Sequence, residues 1–181
     1  MSDSFIDLAR KRCSTRKYTR NPVGRKIVDR CLEAARLAPS ACNSQPWSFV
    51  VADCEPIRGR LGQAAFSGIY SSNAFAAMAP VLIVVVAGRS SSLATLGGWM
   101  RSVPYSLIDI GIACEHLVLQ AAAEGVGTCW LGWFNEAAVR KVLDLPRAAH
   151  APIVISMGYP ADEGAREKRR KPLDEIRRYA G

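Results

Sequence analysis

Between Gly24 and Ala38 the apolar residues Ile27, Val28, Cys31, Leu32, Ala35 and Ala38 recur at three- and four-residue spacing, with Arg25, Asp29, Arg30, Glu33 and Arg36 between them. This is the period of an amphipathic helix, stopped near Pro39. Shorter helical patterns cover Phe5 to Arg12 and Glu55 to Ala65, with the polar connection "CSTRKYTRNPVG" after the first. Trp47 to Ala52 suits a strand, and "PVLIVVVAG" suits a fully buried one, because a valine-rich run without alternation packs on both faces. Leu107 to Glu124 is apolar around most of its circumference, with Asp109, His116 and Gln120 as a narrow polar stripe. Such a helix must be covered on several sides, at the centre of the fold or at a subunit interface. A strand at Gly125 to Leu131, a helix at Glu136 to Leu143, a strand at Pro152 to Met157 and a terminal helix at Leu173 to Tyr179 complete the pattern. Gly88 to Gly98 reads as a Ser/Gly-rich loop. Helices and strands alternate irregularly, which predicts an α+β fold with a mixed β-sheet covered by helices.

The chain's 181 residues suit one domain spanning 1–181, and 49% hydrophobic with 22% charged residues is the balance of a globular protein. The start, "MSDSFIDLARKRC", lacks the apolar core of a secretory signal, and the longest apolar run, Ala74 to Gly88, is broken by Pro80 and shorter than the ~20 residues that span a bilayer. Six cysteines (Cys13, Cys31, Cys42, Cys54, Cys114, Cys129) form no CxxC pair, and only His116 and His150 are available beside them. They read as reduced thiols of a cytoplasmic protein without a metal site. The net charge of +8 suits a nucleic acid, an anionic membrane or a phosphorylated small molecule, and equally a solvated basic surface. Its distribution says more: basic residues concentrate in "RKRCSTRKYTR" and "REKRRKPLDEIRR", at opposite ends of the chain, without the interleaved aromatics of a single-strand nucleic-acid surface.

Several common chemistries are disfavoured. In "GVGTCWLG" the glycines follow a helix and open a strand, the reverse of a dinucleotide fingerprint, so Gly125 reads as a helix C-cap. No GxxxxGK[ST] pattern occurs, and no paired carboxylates stand in a polar loop. His116 is two residues from Cys114 on one helix, where side chains diverge, and reads as a satisfied core histidine. Two stretches remain. In "KRCSTRKY", Arg12, Ser14 and Arg16 alternate, so an extended loop would project two guanidiniums and a hydroxyl to one side, toward an anionic ligand or simply into solvent. "APSACNSQPWSFVV", Ala38 to Val51, carries more polar groups than a helix-to-strand connection requires and reads as a binding surface.

"RCSTRKY", "APSACNSQPW", "GVGTCWLGWF", "ISMGYP" and "KRRKPLDEI" together resemble, in order and spacing, the nitroreductase family of FMN-dependent oxidoreductases, over nearly the whole chain. The resemblance implies an α+β fold in an intertwined homodimer, with two FMN sites at the interface. Arg12, Cys13, Ser14 and Arg16 match the loop that holds the ribityl phosphate and the pyrimidine edge of the flavin. Pro39, Ser40, Ala41 and Asn43 match the segment given by the other subunit, and Gln45, Pro46 and Trp47 lead on into the first core strand. Leu131 and Gly132 match the backbone near flavin N5, Asn73 a flavin-contacting asparagine, and Lys168 with Arg170 the C-terminal phosphate ligands. Two departures are visible: longer members carry an acidic residue where Leu131 stands, and a lysine where Ala76 stands.

The activity implied is a ping-pong transfer of two electrons from NADH or NADPH, through FMN, to a small electrophile such as a nitro compound or quinone, with no nucleic-acid or membrane partner. Arg16, placed near N1 and O2, would stabilise the reduced anionic flavin, and no side-chain acid or base is required. The alternatives are a specialised member acting on an enone, a halogenated aromatic or flavin itself, and a non-catalytic basic protein that binds flavin or nucleic acid. Trp99, Tyr105 and Trp133 are candidates to face substrate, or to pack.

Overall fold

Strand β2 (Val81–Ala87) is the spine of the molecule, and its unbroken apolar run is buried on both sides, as the sequence pattern predicts. The computed structural model describes residues 4–88, 98, 100, 102–162 and 168–180; the interior of the Gly88 to Gly98 loop and Trp99 lie outside them. Around β2 the sheet adds β1 (Trp47–Ala52), β3 (Gly127–Leu131) and β4 (His150–Gly158) in the order β1-β2-β4-β3. One row of side chains, Val50, Val84, Val154 and Leu131, crosses all four strands in register.

The sheet separates two apolar layers. Because side chains alternate along a strand, Val81, Ile83 and Val85 point to one face and Leu82 and Val84 to the other. The first face packs against α2 (Arg25–Arg36), through Val28, Cys31 and Ala35, and against α4 (Tyr105–Ala123), through Ile110, Ala113, Cys114, Leu117 and Ala121. The second is covered by α3 (Ile57–Ala65), a run of 3-10 turns at Gly68–Met78, and α5 (Glu136–Val142). The terminal helices α1 (Phe5–Lys11) and α6 (Leu173–Ile176) bury no residue of their own.

The expected mixed sheet is corrected in one respect: every ladder among the described strands is antiparallel. Alternation of helices and strands in sequence does not set strand direction; that depends on which end of the sheet each connection returns to. The one parallel contact is an isolated bridge between Ser14 and Thr128, which lays the polar N-terminal loop along the edge of β3. Strand β3 also starts two residues later than the glycine pattern suggests. Gly125 is a helix cap with φ +73°, its N–H donating to Ala122 and that of Val126 to Ala121, which closes the last turn of α4. The terminal helix is a single turn, shorter than the predicted Leu173 to Tyr179.

Helix α4 is long and apolar enough to cross a membrane by length and composition, the one such helix among the described residues, yet eight of its residues are buried against the rest of the chain. Much of what it leaves uncovered is also apolar, with Leu107 and Ile108 exposed and Gly111, Ile112 and Leu119 half-covered, but the half-exposed Glu115 stands among them.

Candidate functional site

The polar loop after α1 is held against β3 at atomic contact. Thr15 N–H donates to the Thr128 carbonyl at 2.9 Å, and Thr15 is buried while Arg16 is exposed. A Cβ on Gly127 would lie 2.2 Å from Thr15 Oγ1, so glycine is what admits the loop to this distance. The second glycine of "GVGTC" therefore serves close approach and the first a turn, which accounts for the motif without a dinucleotide. Downstream, Thr19 N–H donates to Tyr159 and the Tyr18 ring is largely buried, so the loop is pinned at both ends.

The two basic clusters meet at the C-terminal end of α1. Lys168 donates to the Ala9 carbonyl, and its ammonium is held below the ordinary lysine value by burial, then by the charges of Arg12 and Arg170. Arg12 faces the Glu115 carboxylate of α4 with Nε and Oε1 3.7 Å apart. Arg170 donates through Nη1 to the carbonyl of Arg169 at 2.8 Å. Among the described residues, Arg12, Lys168 and Arg170 thus share one region with the Glu115 carboxylate, an arrangement suited to a phosphate dianion.

Beside this cluster, Cys129 lies on β3, its thiol pushed up by burial, an effect partly offset by Arg16, by a hydrogen bond from Ser14 and by Arg12. Ser14 thus turns toward β3, while Arg12 faces Glu115 of α4 and Arg16 is exposed beside Phe75. The Arg16 guanidinium stands 6.0 Å from the centre of the Phe75 ring, at the limit of a cation–π contact. Phe75 belongs to the 3-10 run, which continues along the site to the end of β3. There Asn73 Nδ2 donates to the Trp133 carbonyl at 2.9 Å, Trp133 Nε1 donates to Ile69 at 3.2 Å, and the Tyr70 and Trp133 rings lie 5.0 Å apart. Leu131 is buried, Gly132 is exposed with open space where a Cβ would stand, and half of Trp133 faces solvent. Three contacts therefore tie these residues together: Lys168 and Arg12 at the end of α1, Arg16 beside Phe75, and Asn73 against Trp133. Tyr105 is partly buried at the start of α4.

Pro39, Ser40, Ala41 and Asn43 go elsewhere. Their described hydrogen bonds run within their own turn and to the N-terminal end of α4: Ser40 Oγ accepts from Gln45 N–H at 2.9 Å, and Asp109 Oδ1 accepts from Ala41 N–H at 3.1 Å. Cys42, Asn43 and Gln45 all have positive φ, 50°, 51° and 45°, so the turn is a strained and specific shape. Asp109, buried and with Oδ2 lacking a hydrogen-bond partner among the described residues, is the residue that holds it. Sequence reasoning missed Asp109, Glu115 and Phe75. A carboxylate within an apolar helix was the one visible signal, and Asp109 and Glu115 carry it.

The core reading fits Cys31, Cys114 and in part His116, whereas Cys42, Cys54 and His150 are exposed. Burial pushes Cys31 and Cys114 up to about 12, and the His116 Nδ1 lies 3.2 Å from the Ala34 carbonyl of α2.

A sequence profile described as "Nitroreductase family" matches residues 9–159, more than half of the chain. The chain belongs to the nitroreductase family. Among its relatives, a protein of Thermus thermophilus named NADH dehydrogenase is 31% identical over 194 residues, covering 93% of this chain and 92% of the relative. An NADPH-dependent oxidoreductase of Staphylococcus aureus is 25% identical and covers 97% and 73%. The solved structure of an FMN-dependent nitroreductase from Clostridium difficile R20291 superposes with a TM-score of 0.76 at 26% identity, covering 98% of this nitroreductase and 99% of that chain.

Proposed function

We propose that this nitroreductase is an FMN-dependent oxidoreductase that draws two electrons from NADH or NADPH and delivers them to nitro compounds, quinones or related electrophiles. The observation that carries the reading is the convergence of Arg12, Lys168 and Arg170 on one region. A lysine held low by burial and then by the charges of Arg12 and Arg170 gains from a nearby dianion, and a flavin phosphate supplies one. The relatives' names, one with NADH and one with NADPH, leave both donors within the reading.

In this reading Arg12, Lys168 and Arg170 hold the phosphate, and Cys13, Ser14, Arg16 and Asn73 line the ring edges. Leu131 and Gly132 offer backbone beside the reacting face. Bound FMN supplies the electron carrier, accepting a hydride equivalent from the nicotinamide and passing it to the acceptor. Arg16 keeps a positive charge beside the ring, fixed by Phe75 and by the loop's attachment to β3. Gly132 leaves space above the strand end that a side chain would fill. No group in the cleft is required as an acid or base, since solvent can protonate the product.

The second subunit's Pro39, Ser40, Ala41 and Asn43 complete the site, presented by the turn that Asp109 holds in its own chain. The uncovered stripe of α4, Leu107, Ile108, Gly111, Ile112 and Leu119, is the apolar surface a homodimer would bury. One domain over residues 1–181, working in the cytoplasm, completes the proposal.

The test is anaerobic titration of the purified protein with each nicotinamide. A bound-flavin absorbance band, bleached by NADH or NADPH and restored by a nitro or quinone acceptor, supports the reading. Flavin that neither nicotinamide reduces would mark a carrier, and no flavin at all would reject the site.

A further inference from the structure

The ion pair between Arg12 and Glu115 is longer than the other arginine–carboxylate pairs among the described residues, three of which are also single contacts. Arg25 with Asp53, Arg30 with Glu124 and Arg36 with Glu33 each make two hydrogen bonds between guanidinium and carboxylate, at 2.6 to 3.1 Å. Arg12 and Glu115 approach through one atom each, at 3.7 Å, beyond hydrogen-bond length. The Arg12 side chain is 19% exposed and that of Glu115 47%, so the arginine is held by its surroundings and the glutamate is not what fixes it. Among the described groups acting on Lys168, Cys13 and Glu115 oppose burial, Arg12 and Arg170 and do not outweigh them. The carboxylate stands beside the cation cluster, neutralises part of it, and consumes none of its hydrogen-bonding capacity.

We propose that Glu115 is a specificity-determining residue of the phosphate site, a resident competing anion that lowers its affinity for phosphorylated ligands, so that a phosphate is retained only together with the flavin ring contacts. This rests on the phosphate site proposed above. The physical reason is a balance of two effects of opposite sign. A carboxylate that oriented Arg12 would strengthen phosphate binding, but a single long contact from a half-exposed side chain orients weakly. A fixed negative charge a few ångströms from an incoming dianion repels it, and the repulsion is large because the site is partly shielded from water. The second effect wins. Without Glu115, three cations would hold inorganic phosphate and nucleotides as readily as the flavin's phosphate end.

The experiment compares wild type with Glu115→Gln, which keeps the shape and removes the charge, and Glu115→Asp, which keeps the charge. FMN, riboflavin and inorganic phosphate are the probes, read by quenching of flavin fluorescence and, for inorganic phosphate, by displacement of FMN. Glu115→Gln is expected to tighten FMN about tenfold at low salt, with the gain fading above about 0.5 M salt, while riboflavin is unchanged. The inhibition constant of inorganic phosphate, extracted from displacement curves using each variant's own FMN affinity, should fall in Glu115→Gln and not in the charge-conserving Glu115→Asp control. Weaker FMN binding by Glu115→Gln would mean that the carboxylate orients Arg12, and would overturn the proposal. So would an equal change for riboflavin, or altered sedimentation of the variant, either of which places the effect in the fold or the interface. Wild type that binds riboflavin as well as FMN would reject the phosphate site itself, and the proposal with it. A wild-type preference for FMN that Glu115→Gln leaves unmoved would reject the proposal alone.

Discussion

The Tyr18 hydroxyl lies 2.7 Å from the hydroxyl of Ser156 and 2.8 Å from the carbonyl of Thr15. A carbonyl only accepts, so Tyr18 gives its one proton to Thr15, and Ser156 donates to Tyr18. The fully buried Ser156 of β4 is thereby linked to the loop that carries Arg12, Ser14 and Arg16. Tyr18→Phe removes the link and leaves a buried hydroxyl and a carbonyl unsatisfied, a loss of about 1 to 3 kcal/mol in urea unfolding. Ser156→Ala, which removes the polar group along with its need for a partner, should lose less. Burial pushes the Tyr18 phenol well above its ordinary value of 10, so the folded state resists its ionisation. Its contribution is intact below about pH 10 and declines only as pH rises past that point.

Glu136 joins α5 to β4. Its Oε1 accepts from the buried Ala151 N–H at 2.8 Å and lies 3.1 Å from His150 Nδ1 and 3.3 Å from Arg140 Nη1. Burial alone would raise its pKa, but the Ala151 hydrogen bond, His150 and Arg140 together outweigh it, and the carboxyl sits below its ordinary 4.5. A depressed acid stabilises the fold above the unfolded value, and that stability is lost as pH falls through the folded one. Thermal unfolding of wild type should therefore weaken with acidification below about pH 4.5, and Glu136→Ala should both flatten that dependence and lose about 1 to 3 kcal/mol at pH 7, mainly through the orphaned Ala151 N–H.

The apolar stripe on α4 gives a separable test of assembly. Ile108 is 49% exposed, so Ile108→Lys is tolerated by the isolated chain but places a charge in the surface a dimer would bury. The expected result is a folded monomer by circular dichroism, a dimer dissociation constant raised at least about 100-fold in sedimentation, and flavin lost along with the second subunit's Pro39 to Asn43 turn. A variant that stays dimeric would locate the interface elsewhere.

What could be read from the chain depended on whether the signal was local. Trp47 to Ala52 and the helix at Arg25–Arg36 follow from periodicity, and Gly125 from the preference of glycine for positive φ. Gly68–Met78 was not expected, because 3-10 turns stack side chains every three residues and "GIYSSNAFAAM" carries no amphipathic period. Strand direction was invisible for a similar reason, since connections and not composition set it. In the site, the isolation of two basic clusters in sequence was itself a hint that they meet, and the resemblance named their members. Glu115, Asp109 and Phe75 act through contacts with distant residues, which no local pattern encodes.

Arg12→Ala and Arg170→Ala should each weaken FMN more than riboflavin. Charge-assisted hydrogen bonds contribute roughly 1.5 to 3 kcal/mol, or about one to two decades in affinity, and riboflavin has no phosphate through which to lose them. Isothermal titration of both ligands checks this, and equal losses would show that the arginines act through the fold. Lys168 and the other arginine remain in each variant, so neither single variant should abolish binding.

Arg16 separates electronic tuning from simple affinity. Its guanidinium is exposed, its described contacts are the Phe75 ring at 6.0 Å and a weak hydrogen bond to the Ser14 carbonyl at 3.5 Å, and its charge reaches Cys129 on the floor of the cleft. A positive charge in that position favours the more negative, reduced form of a bound flavin over the oxidised form. Arg16→Gln keeps a hydrogen-bond donor and removes the charge, so the two-electron reduction potential should fall while affinity for oxidised FMN changes less. Losing ~1 to 2 kcal/mol of differential stabilisation corresponds to a drop of roughly 20 to 45 mV for a two-electron couple. Reduction by the nicotinamide should slow in step, because its driving force shrinks. Spectroelectrochemical titration of the flavin-loaded variant reads the potential directly. An unchanged potential with weakened FMN binding would place the Arg16 charge on the phosphate and not on the ring.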